Sequence, residues 1–371
     1  MRVAFVVNNY PPRVGGVENH VASLARRLAA EGHYVLVFTI SDDPELPRRS
    51  VVDGVRVLRG RELVRVGDVL GFPPPGTSRR LRRILRRHRI DVVSVHTRFF
   101  PLTWLGVRAA HRMGLPVIHT EHGSDHVASG SALITHASRL VDLTLGRWSL
   151  RAADAVLGVS ESVLDFVGRL SGREGELFYN AIEPSSTQDS PRTDRPGHLV
   201  FVGRIVPGKG WDTFVDTVAT LRRTGHAVTA EMLGDGPDMP RLLAAVAEAG
   251  LGEDIRVRGR VDSRSVREAL RGATLVNPTL LSEGFQTTLL EAIAEGGRVV
   301  TYPVPGAPVL AADGAPVVVT AERSGAALLA ALEDLLREPP APAAPAYVDA
   351  WTWPARAAQF TDACDRLIRS R

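Results

Sequence analysis

The stretch "GRIVPGKGW" at 203–211 contains the only lysine in the sequence, Lys209; of 45 basic residues, the other 44 are arginine. In a chain so biased toward arginine, a lone ammonium points to a chemical reason, against the plainer alternative of a surface loop with incidental charges. Lys209 is a compact charge with three donors, and Arg204, five positions earlier, is a planar fork. Together they suit an anion as crowded as a phosphate. "GRIVPGKG" also fills seven positions of the phosphate-loop pattern GxxxxGK[ST], but Gly210 stands where a Ser or Thr would hold magnesium. A nucleotide hydrolase is disfavoured on that ground; an anion site is not.

A second group lies in "SEGFQTTLLEAIAEGG" (282–297). A helix opening near Gln286 leaves the N–H groups of Thr287 and Thr288 in its first turn, which makes a second anion site. Glu283 then falls in the entry loop, and Glu291 lies more than a turn into the helix, able to accept from vicinal hydroxyls. A capping residue and an exposed glutamate are the plainer alternatives for this pair. In the first half, Asn8, Asn9 and Gly15-Gly16, then His96-Thr97-Arg98, then Glu121-His122-Gly123, all follow strand-like runs. Gly15 and Gly16 permit close backbone approach to a ligand. His122, by itself, reads more simply as a satisfied structural histidine. There is no D-x-D triplet and no metal-ligand spacing, so neither a metal nor another cofactor is expected. Any bound phosphates would be neutralised by Arg204, Lys209 and helix N-termini.

The elements that must position these residues alternate along the chain. Strand-like runs at 3–7, 34–39, 91–96, 116–120 and 155–160 are separated by helical periodicity, as at 17–31, where Val17, Val21, Leu24 and Leu28 recur at helical steps. "PSSTQDSPRTDRPG" (184–197) reads as a linker, and the pattern restarts at 198–203, 228–234, 254–259, 273–278, 298–303 and 315–320. A proline- and alanine-rich stretch at 338–347 precedes a last helix at about 354–369. Such alternation predicts two α/β domains with parallel sheets and a cleft between them, the ligands lying beyond the carboxyl ends of the strands.

Bulk properties agree with this. A chain of 371 residues exceeds what one core supports, and 44% hydrophobic with 23% charged residues is ordinary globular composition. A net charge of +4 permits an anionic partner without demanding one. One cysteine, Cys364, and no apolar run near the length of a membrane span predict a soluble cytoplasmic protein. The run "RRLRRILRRHR" (79–89) leaves peripheral contact at the inner membrane face open, although a solvated helix face explains it more simply. It lacks interleaved aromatics, so nucleic acid is not an expected partner.

Taken together, these residues resemble the GT4 family of retaining glycosyltransferases over nearly the whole chain. "PPRVGGVENHVASLARRLAAEGHYV" resembles the family's glycine-glycine loop and first helix, and "VFVGRIVPGKG" its Gly-Arg…Lys-Gly motif. "LGDGP" (233–237) is similar to the donor-domain turn, and "SEGFQTTLLEA" to the E-x7-E motif, the most specific of the four. The resemblance implies a GT-B fold: two Rossmann-like, doubly wound domains facing across a cleft, with the last helix returning to the first domain. The expected domains are 1–185 plus 352–371, binding the acceptor, and 196–351, binding a nucleotide-sugar donor.

The resemblance also assigns roles. Arg204 and Lys209 would bind the donor diphosphate, with backbone at Gly15, Gly16, Gly203, Thr287 and Thr288. Glu291 would hold the ribose, Gly259 and Arg260 would lie by the base, and Glu283 with the backbone of Phe285 to Thr287 would hold the sugar. His122 matches the family histidine near the reacting centre, while Asn8, Asn9 and Arg98 are the acceptor-side candidates. Three positions depart from the family pattern: Gln286 where glycine is common, whose side chain would then reach the sugar; Ala181 after Asn180; and "PVPGAPVL" (303–310), which lacks a glutamate. The implied activity is metal-independent, retaining transfer of a hexose or N-acetylhexosamine from a UDP-, GDP- or dTDP-sugar to an unidentified hydroxyl acceptor. An epimerase or phosphorylase of the same fold, and a non-catalytic nucleotide-sugar-binding protein, remain alternatives.

Overall fold

The structure is a computed structural model that describes residues 1–13, 15–66, 70–126, 132–184, 193–281 and 284–371. The chain forms two compact units, Met1–Ala181 with Trp353–Arg371, and Ile182–Thr352.

In chain order the first unit contains β1 (Arg2–Val6), α1 (Gly16–Ala30), β2 (Tyr34–Ser41), β3 (Arg49–Val52), β4 (Val55–Arg61), β5 (Val64–Val66), β6 (Leu70–Phe72) and α2 (Thr77–Arg87). It continues with β7 (Val92–His96), α3 (Pro101–His111), β8 (Val117–Glu121), α4 (Ala132–Val141), a π-helical turn (Asp142–Gly146), α5 (Arg147–Ala152), β9 (Ala155–Gly158), α6 (Glu161–Ser171) and β10 (Glu176–Leu177). Eight strands form one sheet in the order β10-β9-β8-β7-β1-β2-β4-β3, parallel except where β3 meets β4. Because helices cover both faces, each central strand is apolar on both sides. Val3 and Phe5 of β1 enter one core with Val21, Leu24 and Leu28 of α1. Ala4 and Val6 enter the opposite core with Leu81, Leu85, Leu102 and Val107 of α2 and α3.

The second unit contains β11 (His198–Val202), α7 (Trp211–Arg223), β12 (Thr229–Leu233), α8 (Met239–Glu248), β13 (Ile255–Gly259), α9 (Ser263–Leu270) and β14 (Thr274–Asn277). After these come α10 (Thr287–Ala294), β15 (Arg298–Thr301), α11 (Ala307–Ala312), β16 (Val317–Val319), α12 (Gly325–Arg337) and a 3₁₀ turn (Pro345–Trp351). The six strands are all parallel in the order β13-β12-β11-β14-β15-β16. The last helix, α13 (Trp353–Arg369), belongs to the first unit. Its Phe360 stacks on Phe5 with centroids 5.7 Å apart, and Ala357, Ala363 and Cys364 are buried in the same core. This is the return of the final helix that the resemblance implied.

Two parts of the chain differ from the periodicity reading. The four strands between 49 and 72 were not anticipated: β3 lies at a sheet edge with Val51 and Val52 exposed, and β5 with β6 is a separate small hairpin. Neither has the buried apolar run that marks the central strands. The basic run at 79–89 lies on α2, which buries Leu81 and Leu85 and turns Arg79, Arg80, Arg83, Arg86 and Arg87 outward. Among the described residues no helix is long and apolar enough to cross a membrane.

Glycines decide how closely the strand ends of the second unit approach one another. Gly234 has φ +146°, and a Cβ there would lie 1.8 Å from the Gly203 carbonyl oxygen. Gly210 has φ +89° and would place a Cβ 2.2 Å from the Pro278 oxygen. Gly225, with φ +90°, has open space around it. Gly225→Ala is therefore expected to cost only the left-handed backbone penalty, about 1–2 kcal/mol. Gly234→Ala adds a backbone clash to that penalty and should cost about 3 kcal/mol or more. Urea unfolding of both variants, with equal slopes, checks the difference; equal losses would remove the close-approach explanation.

Candidate active site

In the second unit the chain runs from β11 outward to β12 and β13, then returns to add β14 on the other side of β11. Ligands of open parallel sheets bind at such a switch point, in the loops beyond the strands' carboxyl ends. "GRIVPGKG" follows β11 directly, and the loop after β14 leads into α10. The two loops are tied together, since Leu280 N–H donates to Gly208 O at 2.8 Å. Lys209 lies across Gly203: a Cβ on that glycine would be 2.7 Å from Lys209 Cε. Arg204 is exposed and, among the described residues, has no ion-pair partner.

Neighbouring strand ends reinforce the loop through the backbone alone. Gly203 N–H donates to Leu233 O at 3.0 Å, Ile205 N–H to Asp235 O at 3.0 Å, and Gly234 N–H to Gly259 O at 2.8 Å. The Gly-Arg…Lys-Gly loop, the "LGDGP" turn and Gly259 are thus one hydrogen-bonded edge, with Arg260 exposed beside it. α10 begins at Thr287 with Gln286 as its N-cap and no side-chain cap bond, so its first N–H groups include those of Thr287 and Thr288, both partly exposed. Phe285 is buried against Trp351, ring centroids 5.5 Å apart. Burial pushes the Glu291 carboxyl above its ordinary value; Arg267 opposes that rise and Glu295 adds to it. Glu283 lies outside the described residues.

In the first unit the corresponding switch point falls between β1 and β7. Gly15, extended at the N-cap of α1, and the exposed Gly16 follow β1. His96 ends β7, and His122 follows β8 immediately. His96 Nδ1 and His122 Nε2 are 3.1 Å apart, and His20 from α1 packs edge-on against His122. Beneath them Glu121, fully buried, accepts from the Arg98 N–H (2.9 Å), the Arg98 guanidinium (3.0 Å), and the N–H groups of His122 (3.1 Å) and Gly123 (3.0 Å). Burial alone would raise the Glu121 carboxyl, but Arg98, His119 and the Gly123 amide together hold it well below the ordinary carboxylate range.

Four sequence expectations need correction. Arg98 is no loop cation open to an acceptor: its side chain has no exposure and binds Glu121 and Asp142, both buried and both at 3.0 Å. Thr97, at φ +63°, turns the chain so that Arg98 points inward, and Thr103 and Trp104 hold that turn through the Thr97 and Arg98 carbonyls. Asn8 is buried and committed, donating to Gly71 O at 2.8 Å and accepting from Leu102 N–H at 3.2 Å. Asn9 is also buried and accepts from Arg65. Gln286 does not reach outward to a sugar, because its Oε1 accepts from buried Asn277 at 2.8 Å.

The sequence reading named His96 and Glu121 only as polar residues at strand ends, without a role, and it missed His20 and Asp142. The histidines sit in a helix and at a strand end with no shared spacing, so only the fold brings them together. Asn180, the residue before the departing Ala181, places its Oδ1 2.8 Å from His20 Nδ1.

Two parallel α/β units, each carrying polar loops at its own switch point, and a last helix returned to the first unit define a GT-B glycosyltransferase. Solved structures of that architecture superpose over the full chain. HepE of Anabaena in complex with UDP gives a TM-score of 0.77 at 16% identity, covering 99% of this chain and 100% of that one. Sucrose-phosphate synthase from Thermosynechococcus elongatus gives 0.73 at 19% identity, covering all of both chains. Residues 14–186 match the model described as Glycosyltransferase Family 4, and residues 196–338 that described as Glycosyl transferases group 1. The chain belongs to the GT4 glycosyltransferases. Among curated relatives, a phosphatidylinositol N-acetylglucosaminyltransferase component of Arabidopsis thaliana is 28% identical over 90% of this chain and 74% of its own. Glycogen synthase of Mycobacterium tuberculosis is 27% identical over 92% of this chain and 87% of its own.

The Arg98 network generates a stability prediction. Arg98→Met leaves Glu121 and Asp142 buried without their cation, and breaking a buried pair from one side costs about 3–5 kcal/mol. Unfolding free energy measured in urea should fall by that amount. A loss below about 1 kcal/mol would mean that water reaches the site.

Proposed function

We propose that the chain is a metal-independent, retaining glycosyltransferase that moves a hexose or N-acetylhexosamine from a nucleoside-diphosphate sugar to a hydroxyl of a small-molecule, lipid or glycan acceptor. One observation carries the reading. The two loops that resemble the family's donor motifs flank the β11/β14 switch point, with Lys209 packed over Gly203 and Arg204 exposed beside it.

In this reading Arg204 and Lys209 hold the diphosphate, together with the N–H groups of Thr287 and Thr288 and the backbone at Gly203. Glu291 accepts from the ribose hydroxyls, and Gly259 and Arg260 lie by the base. Glu283 binds the sugar hydroxyls on the strength of its motif alone, with backbone N–H groups around Phe285 and Gln286. The first unit contributes the Gly15-Gly16 backbone and His122. HepE, solved with UDP, supports a nucleoside-diphosphate donor.

Negative charge grows on the diphosphate as the glycosidic C–O bond breaks. A guanidinium and an ammonium held by a rigid loop stabilise that charge without reorganising, which is where electrostatic catalysis is strongest. For retention, the acceptor oxygen bonds to the anomeric carbon on the face the diphosphate leaves, and its proton passes to the departing phosphate oxygen. The two fixed cations take the part a divalent ion would otherwise play.

A thermal-shift screen of UDP-, GDP- and dTDP-sugars identifies the donor for kinetic work. Lys209→Ala should lower kcat/KM for that donor by about 10²–10³-fold, the scale of losing one transition-state partner, with the melting temperature unchanged. Turnover should persist in EDTA, and NMR of the product should show the donor's anomeric configuration. Normal turnover by Lys209→Ala would overturn the site assignment. Loss of activity in EDTA would overturn metal independence, and an inverted anomer would overturn retention.

A further inference from the structure

Three imidazoles converge at the β1/β7 switch point of the first unit: His20 on α1, His96 ending β7 and His122 following β8. One nitrogen of each lies within 4.8 Å of the other two. Ring centroids are 4.8 Å apart for His20–His122, 5.4 Å for His96–His122 and 5.8 Å for His20–His96. Three imidazoles bound tetrahedrally to zinc at about 2.0–2.1 Å per bond have centroids about 5 Å apart, so the rings are already close to that arrangement.

The remaining nitrogens have the partners that metal-ligating histidines use. His20 Nδ1 donates to Asn180 Oδ1 at 2.8 Å, which leaves a lone pair on Nε2; that Nε2 is buried and, among the described residues, has no hydrogen-bond partner. His96 Nε2 lies 3.1 Å from the buried Ser94 Oγ, an acceptor for a proton on Nε2 in the tautomer that leaves the Nδ1 lone pair facing His122. Second-shell acceptors of this kind fix the tautomer that presents a lone pair to a metal. His122 is only partly buried, which leaves a side for a water as fourth ligand. No carboxylate belongs to the trio, and an all-imidazole set suits zinc, copper or nickel over magnesium or calcium.

We propose that His20, His96 and His122 form a site for one divalent transition-metal ion of the zinc class, and that its occupation blocks sugar transfer by removing His122 from use. The inhibitory part rests on the reading of His122 given above. Binding replaces the His96–His122 hydrogen bond with two metal–nitrogen bonds, the His122 proton moving from Nε2 to Nδ1, so all three ligands are neutral imidazoles before and after.

The test titrates the whole chelator-treated protein with CoCl2 and reads visible absorption. The expected result is the intense absorption of tetrahedral cobalt saturating at one ion per chain and displaced by ZnCl2. His20→Gln and His96→Gln, shown to be folded by circular dichroism, should each weaken binding at least tenfold, whereas His111→Gln, outside the cluster, should not. A wild-type protein with no such one-to-one spectrum overturns the site, as does a spectrum unchanged in both cluster variants. Donor turnover should fall in step with cobalt occupancy and return with EDTA. A normal spectrum with turnover unaffected would uphold the site and overturn the role of His122 in transfer.

Discussion

A single buried carboxylate organises the first unit's polar end. Glu121 is the last residue of β8, and it accepts from the backbone that follows β7 and from the backbone that follows β8, as well as from a guanidinium. Bringing a carboxylate out of water is costly, so such a group persists only with its oxygens satisfied. Here the bonds that satisfy it also fix geometry. The amides of His122 and Gly123 cannot move without unpairing a buried charge, and loss of Arg98 would leave the Asp142 carboxylate with His126 as its remaining side-chain partner among the described residues. His122 therefore sits on a rigid support although it follows a strand in a loop, which is how a reactive side chain is kept in position. The left-handed Thr97 belongs to the same economy of space, because a β-branched residue adopts that backbone only when its surroundings enforce it.

The second unit solves the same positioning problem chiefly through its backbone. Its strand ends meet backbone to backbone, at separations only glycine allows, and the resulting amide ladder holds the Gly203–Gly210 loop. With support supplied by the main chain, the charged side chains of this edge are left to point outward. The contrast follows from chemistry. A group meant to meet an anion must stay solvated and cationic until the anion arrives, whereas an imidazole meant to stay neutral gains from burial. Arg204 is exposed, and His96 is buried and held neutral.

The fold and the donor motifs were legible in the sequence because they are local. A six-residue apolar run, a helix of period 3.6 and a glycine at a strand end each declare themselves within a few positions. The 203–210 loop and the start of α10 at Thr287 fell where their patterns put them. What could not be read was which way a polar side chain turns once the strand ends. Asn8, Arg98 and Gln286 look like ligands in a linear reading: the first two are polar and follow apolar runs, and Gln286 stands where the family pattern has glycine. The structure turns each inward, toward partners 94, 44 and 9 residues away respectively. The edge strands between 49 and 72 were hidden for a related reason: exposed on one side, they lack the continuous hydrophobicity that identifies a buried parallel strand.

That difference in legibility bears on the lone lysine. Arginine is the better residue for a buried, multidentate partnership, because its fork can bond two carboxylates at once, as Arg98 does with Glu121 and Asp142. Lysine offers none of that planarity. Its advantage is a slim stem that can lie along a surface while the charged head reaches past it. At Lys209 the stem runs over Gly203, where a methyl group would be met by Lys209 Cε at 2.7 Å. The glycine and the lysine are thus paired: the absent side chain leaves the path that the unbranched stem occupies, and the ammonium is carried past it.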